Sequence, residues 1–129
     1  MKENKLYAFL NSTINKMMQA FPSALCSCGY ANGYVAVPPD HPVYCKDYHD
    51  VAVDVHCELT FGDSAKVVKQ WKDIECIGFN SIDEVPDDYW VFGFDTLHYK
   101  DNLQICNKEW CIEETLRLKK QLVEMEDSV

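Results

Sequence analysis

An alternation of apolar and other residues over residues 51–61 constrains the fold of this chain more than any other sequence feature. Successive side chains of a β-strand point to opposite faces of its sheet, so a period of two predicts a strand with one buried and one solvent-exposed face. Such strands are typical of antiparallel sheets. The inward positions are Val51, Val53, Val55, Cys57, Leu59 and Phe61, and the outward positions are Ala52, Asp54, His56, Glu58 and Thr60.

The remaining periodic segments predict helices near both chain ends and further strands between them. Apolar residues at helical spacing predict amphipathic helices over 4–21 and 108–126. Shorter segments predict strands over 34–37, 74–79 and 89–94 and a short helix over 63–72. Because this order lacks regular βαβ alternation, we expect an α+β fold, with a four- to five-stranded, mainly antiparallel sheet packed by N- and C-terminal helices. No linker is evident, and residues 1–129 are expected to form a single domain.

The charge balance restricts the partners that this chain can bind. Twelve Lys and Arg residues stand against 21 Asp and Glu residues, which gives a formal net charge of −9. Duplex nucleic acid is not an expected partner, because phosphate contacts need clustered Lys and Arg. A partner protein with a basic groove is compatible with the acid excess. Neither a secretory signal nor an apolar run of about 20 residues is evident, so we expect a cytoplasmic protein without a membrane partner.

Histidines and carboxylates form the first candidate site. His56 and its neighbouring carboxylates lie on the outward face of the predicted strand 51–61. Asp95 and His98 follow another predicted strand, and His41 lies in a proline-rich loop. Histidines with carboxylates are typical ligands of a hydrolytic metal ion, and without metal they can act as a general acid and base. The alternative interpretation is a solvated strand face with scattered polar residues.

The seven cysteines allow zinc binding or a purely structural role. Their odd number and the expected reducing compartment predict free thiols. Two zinc sets can be drawn from the sequence: Cys26-x-Cys28 with His41 or Cys45, and Cys106 and Cys111 with His98. Neither set has the usual spacing of two zinc knuckles. The simpler interpretation is small buried side chains with a few exposed thiols.

Aromatic side chains in the loops form the second candidate site. Tyr44 and Tyr48 lie in the loop 38–50, which three prolines stiffen. Such side chains can stack on a nucleobase, and they are equally typical anchors of protein interfaces. The acidic runs near residues 83–88 and 124–127 can imitate a phosphate backbone toward a basic groove, or they form an ordinary soluble surface.

Three segments together resemble a family of small proteins encoded by phages and prophages. They are GYVAVPPDHPVYCKDY over 33–48, DVHCELTF over 54–61 and GFDTLH over 93–98. The family pattern is similar to G-Y-V-x-V-P-x-x-H-P, then V-H-G-G-L-T-F, then G-F-D-x-x-H, followed by a C-terminal helix. The matching polar positions are His41, His56, Asp95 and His98. This chain departs from the pattern at Cys45, Cys57 and Glu58, where the family tends to have glycine.

The resemblance implies a phage accessory protein, and we expect it to bind and inhibit a host defence component, such as a CRISPR effector, in the host cytoplasm. This leading hypothesis needs no catalysis, no cofactor and no metal ion. The expected binding residues are His41, Tyr44, Tyr48, His56, Asp95 and His98. The alternative is a small metal-dependent hydrolase or a protein that binds a small nucleotide. Self-association into a homo-oligomer is a further possibility.

Overall fold

Five antiparallel strands form one sheet in the computed structural model, which describes residues 5–20, 28–98 and 101–127. In chain order the elements are β1 Tyr7–Asn11, α1 Thr13–Gln19, β2 Asn32–Val37, β3 Phe61–Ser64, α2 Ala65–Val68, β4 Ile74–Ile77, β5 Trp90–Phe94 and α3 Lys108–Asp127, with short 3-10 turns at Tyr48–Asp50 and Ile82–Glu84. The strand order across the sheet is β3-β5-β2-β1-β4. The α+β class, the antiparallel sheet and the C-terminal helix are therefore confirmed.

Both faces of the sheet are covered, which buries its three central strands completely or nearly so. Helix α3 packs on one face, where Leu118 and Leu122 meet Val35 and Phe92. The other face holds a second apolar cluster, formed by Tyr7, Phe9, Tyr34, Ala36, Ala65, Val68, Val85 and Val91. Because apolar side chains are needed on both sides, these strands have continuous apolar runs and little alternation.

The predicted helix over 4–21 is wrong in its first half. Residues Tyr7–Asn11 form β1, a central strand that pairs with both β2 and β4. The helix α1 begins only at Thr13. Every residue of β1 is buried, and a short continuous apolar run fits a buried strand as well as one face of a helix. Hydrogen bonding to β2 on one side and to β4 on the other stabilises the strand over the helix.

The predicted strand over 51–61 is also wrong for most of its length. Residues 51–60 form an irregular segment, and only the last predicted residue, Phe61, belongs to a strand. Val51, Val55 and Leu59 are buried as the alternation predicted. The alternation was wrong for Cys57, which is exposed, and Val53 and Phe61 are only partly buried. Half of the predicted inward residues therefore belong to the core, although the backbone that carries them does not form a strand.

Side chains of helix α3 form hydrogen bonds with the backbone of this irregular segment, as a neighbouring strand would do in a sheet. The backbone N–H of Asp54 donates to Gln121 Oε1 at 2.7 Å, and Gln121 Nε2 donates to the carbonyl of Asp54 at 2.8 Å. The backbone N–H of His56 donates to Glu114 Oε2 at 2.7 Å. Side chains of α3 thus take the place of a neighbouring strand as hydrogen-bond partners of this backbone. As a result, His56 is positioned by the helix.

Cys45, Cys57 and Glu58 have positive φ angles of 60°, 52° and 69°. These are the three positions at which the phage pattern tends to have glycine. Glycine adopts this conformation without the steric cost that other residues incur. Cys45, Cys57 and Glu58 therefore each adopt a conformation in which the side chain adds steric cost.

Glu58→Gly is expected to raise the free energy of unfolding by about 0.5 kcal/mol, because relief of the left-handed strain exceeds the added entropy of the unfolded chain. The matched control is Ala52→Gly in the same segment, which has no positive φ to relieve and should lose roughly 0.5–1 kcal/mol. Urea unfolding of the three proteins measures both changes. A loss of stability in Glu58→Gly would contradict the argument.

Candidate functional site

His56, Asp101 and Cys106, which we call the His–Asp–Cys cluster, come together where the irregular segment meets the start of α3. One ligand-type atom from each residue lies within 4.8 Å of the other two. His56 comes from the irregular segment, whereas Asp101 and Cys106 precede α3 in the chain. Within the described ranges, no other group of three His, Cys, Asp or Glu residues is packed this closely.

The Asp101 carboxylate lies at the centre of this arrangement and is only 6% exposed. Its Oδ1 lies 2.9 Å from His56 Nε2 and accepts a weak hydrogen bond from Cys106 Sγ at 3.8 Å. Its Oδ2 accepts the backbone N–H of His98 at 3.0 Å. A buried carboxylate requires such partners, and they hold the imidazole of His56 and the turn at His98 in a defined arrangement.

His98 and Asp95 lie beside the cluster. The rings of His56 and His98 meet edge to face with centroids 5.9 Å apart. His98 Nε2 lies 2.9 Å from Asp95 Oδ1. This nitrogen is nevertheless buried without a properly aligned hydrogen bond to any described residue. The contact with Asp95 is therefore a close approach without the alignment that a hydrogen bond requires.

A buried polar network holds the turn that carries Asp95 and His98. Asp95 Oδ1 accepts the backbone N–H of Leu97 at 3.1 Å, an Asx-turn. The backbone N–H of Thr96 donates to Asn32 Oδ1 at 2.9 Å, and Asn15 Nδ2 donates to Thr96 Oγ1 at 3.0 Å. These contacts join the turn to α1 and β2, so its two site residues rest on a rigid part of the fold.

Two thiols lie at the His–Asp–Cys cluster: Cys106 belongs to it, and Cys57 lies beside it. Cys57 Sγ lies 3.7 Å from His56 Nε2, and Cys57 is exposed. Partial burial, followed by the negative charges of Asp101 and Asp95, raises the pKa of the Cys57 thiol. Burial and the charge of Asp101 raise the pKa of Cys106 to about 11. Both thiols are thus protonated at neutral pH, and neither is an activated thiolate nucleophile.

His41 does not join His56, Asp95 and His98. It is 4% exposed, and its Nε2 lies 2.7 Å from the carbonyl oxygen of Leu122 in α3. Its Nδ1 accepts the backbone N–H of Val43 at 3.1 Å, so Nε2 carries the ring proton and donates it. Since both nitrogens are occupied inside the core, His41 acts as a packing and hydrogen-bonding residue between the proline-rich loop and α3.

Tyr44 and Tyr48 belong to a separate aromatic surface around Trp90. An open pocket of about 350 Å³ is lined there by Cys45, Lys46, Asp47, Tyr48, Gly62 and Trp90. The ring of Tyr44 lies 6.4 Å from that of Trp90, and its hydroxyl donates to the carbonyl oxygen of Asp88. Trp90 Nε1 is buried and has no hydrogen-bond acceptor among the described residues.

The structure groups the cysteines differently from the two zinc sets drawn from the sequence. Cys106 meets His56 and Asp101, whereas Cys111 Sγ contacts the carbonyl oxygens of Ala31 and Cys106. Cys28 contacts the carbonyl oxygen of Asn15, and Cys26 lies outside the described residues.

Sequence reasoning missed Asp101 as a site residue. The spacing of Asp95, His98 and Asp101 at every third position was the available signal. A pattern of only three residues could not predict that the Asp101 carboxylate accepts the backbone N–H of His98.

Glu114 of α3 accepts the backbone N–H of His56, and its pKa is lowered in the folded protein. Burial by itself would raise its pKa, but the bidentate contact with Arg117 and the backbone N–H of His56 outweigh burial and lower it. A carboxyl group whose pKa is lowered by folding adds stability above its unfolded pKa, and that stability is lost as the pH falls through the folded value.

Glu114→Gln should therefore lower the free energy of unfolding by about 1 kcal/mol at neutral pH. Its stability should also decline less steeply than that of the wild type between about pH 5 and pH 3. Urea unfolding across this range tests both effects. The control is Glu113→Gln, an exposed neighbour on the same helix, and an identical pH slope in Glu114→Gln and the wild type would refute the assignment.

No protein-family model matches this sequence, and neither the curated proteins nor the solved structures provide a match. The class that the fold defines is α+β, and the His–Asp–Cys cluster and the aromatic surface are the two features that bear on function. Among residues 5–20, 28–98 and 101–127, no helix combines the length and apolar character that crossing a membrane requires.

Proposed function

We propose that this protein is a phage-type accessory protein that binds and inhibits a host defence component without catalysis, in the host cytoplasm. The observation that carries the proposal is the concentration of acidic side chains around the aromatic surface. Aromatic anchors inside a charged rim are typical of protein interfaces. An acidic rim favours a partner with a basic groove, because complementary charge raises the rate of encounter and sets orientation.

We use the term acidic rim for five carboxylates, those of Asp40, Asp47, Asp87, Asp88 and Glu126. Burial, then Tyr7, and then the charges of Asp88, Asp40 and Glu126 raise the pKa of Tyr89, the neighbour of Trp90 in the chain. The Tyr44 hydroxyl donates to the carbonyl oxygen of Asp88. Asp47 lines the pocket, and Asp87 is exposed and precedes Asp88 in the chain. Three lysines offset part of this charge: Lys46 lines the pocket, Lys69 bonds to Asp87 at 2.9 Å, and the charge of Lys66 also lowers the pKa of Asp87. The acidic groups remain in excess.

Phage plating tests the proposal. The protein is expressed in hosts that each carry one defence system, and we expect it to restore phage plating in at least one of them. The double variant Asp40→Lys/Asp88→Lys should lose this effect by about 100-fold or more, because like charges would face the basic groove. Copurification of the affected defence component with the wild type, but not with the variant, would identify the partner.

The matched control is Glu109→Lys/Glu113→Lys, which makes the same change in net charge at exposed positions of α3. It should retain activity. Equal loss in both double variants would show that net charge matters and the aromatic surface does not. Failure to restore plating against every defence system, with no component recovered, would remove the proposal.

A small nucleotide-binding protein or metal-dependent hydrolase is the second candidate. The specific observation in its favour is the convergence of His56, Asp95 and His98 around Asp101. Imidazoles beside carboxylates can hold a metal-bound water or act as an acid–base pair. Incubation of purified protein with cyclic nucleotides tests this candidate. Product formation that His98→Gln abolishes supports a hydrolase. If the protein neither turns over nor binds cyclic nucleotides, both the hydrolase and the nucleotide-binding protein are excluded.

A further inference from the structure

We propose that His56, Asp101 and Cys106 bind one Zn²⁺ ion, with Cys57 as the fourth ligand. This inference is independent of the docking surface and goes beyond the proposed inhibitory role. It begins from the spacing of the donor atoms. Oδ1 of Asp101 lies 2.9 Å from His56 Nε2 and 3.8 Å from Cys106 Sγ. Zinc bond lengths and tetrahedral angles place donor atoms about 3.3–3.8 Å apart, so small side-chain shifts suffice for these three residues. Cys57 lies outside this closely spaced group and has to move further to bind.

The chemistry of the donors selects the metal. One imidazole nitrogen, one carboxylate oxygen and one or two sulfurs form a mixed set that suits Zn²⁺ and its spectroscopic substitute Co²⁺. Mg²⁺ and Ca²⁺ prefer oxygen ligands only, so this set of nitrogen, oxygen and sulfur donors does not suit them. On binding, the thiols of Cys106 and Cys57 form metal–thiolate bonds and release their protons to solvent.

The surroundings of the cluster favour ordered ligands. Asp101 Oδ2 is held by the backbone N–H of His98, which leaves Oδ1 directed to the other two ligands. The ring of Trp110 packs edge to face on His56 at 4.9 Å. Outer contacts of this kind orient metal ligands in known sites. Cys57 is exposed and lies 3.7 Å from His56 Nε2, so it can complete the coordination from the solvent side.

His98 provides a second observation at the same place. Its Nε2 is buried and forms no aligned hydrogen bond to the described residues, although it lies beside the His56 ring. Buried polar atoms without partners are rare in folded proteins. Asp95 Oδ1 faces this nitrogen at 2.9 Å without an aligned hydrogen bond, and an ion bound beside it is a usual reason for such an atom in a folded protein.

Metal titration of the full-length protein tests the proposal. After incubation with Zn²⁺ and dialysis, metal analysis should find about one equivalent bound. Co²⁺ should give a thiolate-to-metal charge-transfer band, which reports sulfur ligation directly. Cys106→Ser and His56→Gln should each weaken Zn²⁺ binding by at least about 100-fold, and Cys57→Ser by about 10-fold or more.

Matched controls separate ligand loss from misfolding. Cys111→Ser removes another buried thiol, and His49→Gln removes an exposed imidazole; both should bind as the wild type does. Cys57→Ser changes an exposed residue and should fold normally, so it keeps the test valid if Cys106→Ser does not fold. Less than about 0.1 equivalent of Zn²⁺ without a Co²⁺ charge-transfer band would overturn the proposal. Zinc binding without nucleotide turnover would support the site and exclude only the hydrolase.

Discussion

Gly33→Ala is expected to lower the free energy of unfolding by about 3 kcal/mol and the melting temperature by about 10 °C. Gly33 lies in β2 opposite Leu10 of β1 and Phe94 of β5. A Cβ atom at this position would lie 2.2 Å from Thr115 Oγ1 and 2.5 Å from Cε1 of Phe94. Helix α3 thus approaches the sheet at a point where a hydrogen atom fits and a methyl group does not.

Neither neighbour of Gly33 can move away at low cost. Thr115 and Phe94 are both fully buried, and the hydroxyl of Thr115 donates to the carbonyl oxygen of Cys111 at 2.6 Å. Close-packed interiors respond to added volume by shifting backbone, and α3 also carries the contacts that position His56. We therefore expect the His–Asp–Cys cluster to loosen together with the helix.

Gly62→Ala is the matched control for this substitution. Gly62 lies in the edge strand β3, and the nearest atoms to an added Cβ are 3.5 Å away, an ordinary contact. This variant should stay within about 0.5 kcal/mol of the wild type. Thermal and urea unfolding measure both proteins. Equal stability of Gly33→Ala and Gly62→Ala would show that α3 does not pack on β2 as described.

His41→Ala is expected to cost about 3 kcal/mol of stability without a change in ligand chemistry at the His–Asp–Cys cluster. The substitution removes the hydrogen bonds to the carbonyl oxygen of Leu122 and from the backbone N–H of Val43. It also leaves a cavity among buried residues of the main core. Unfolding by urea measures the loss.

His49→Ala controls for removal of an imidazole from the same loop. The side chain of His49 is 71% exposed and pairs only locally with Asp47, so its loss should change stability by less than about 0.5 kcal/mol. The folded fraction of His41→Ala should bind Zn²⁺ as the wild type does. Loss of binding in fully folded His41→Ala would place His41 in the site and contradict its structural role.

Local patterns predicted the elements that local interactions determine. The helix over 108–126 is α3 within one residue at its C-terminal end, and strands 34–37, 74–79 and 89–94 lie within or overlap β2, β4 and β5. The helix over 63–72 reduces to the four residues of α2. The errors occur where partners come from distant parts of the chain, as at β1, which pairs on both edges, and at residues 51–60, which bond to side chains of α3.

The sequence predicted which residue types form the candidate site. It could not predict which particular residues come together there. His56, Asp95 and His98 do converge, because the irregular segment and the turn after β5 meet beside the start of α3. His41 shares their chemistry, but its ring is enclosed between the loop and α3. Asp101 joins the site because its backbone N–H donates to the carbonyl oxygen of His98 and its carboxylate accepts the backbone N–H of His98. No periodic pattern encodes these contacts or the approach of Cys106.

Composition and periodicity by themselves predicted an acidic α+β chain, its long C-terminal helix and part of its core. These properties depend on residue type and on neighbours a few positions away, and both can be read along the sequence. Only the tertiary structure decided which polar side chains meet, because a carboxylate and an imidazole 45 residues apart become partners through packing of the whole chain. The same packing buried His41 and left Cys57 exposed at the edge of the cluster.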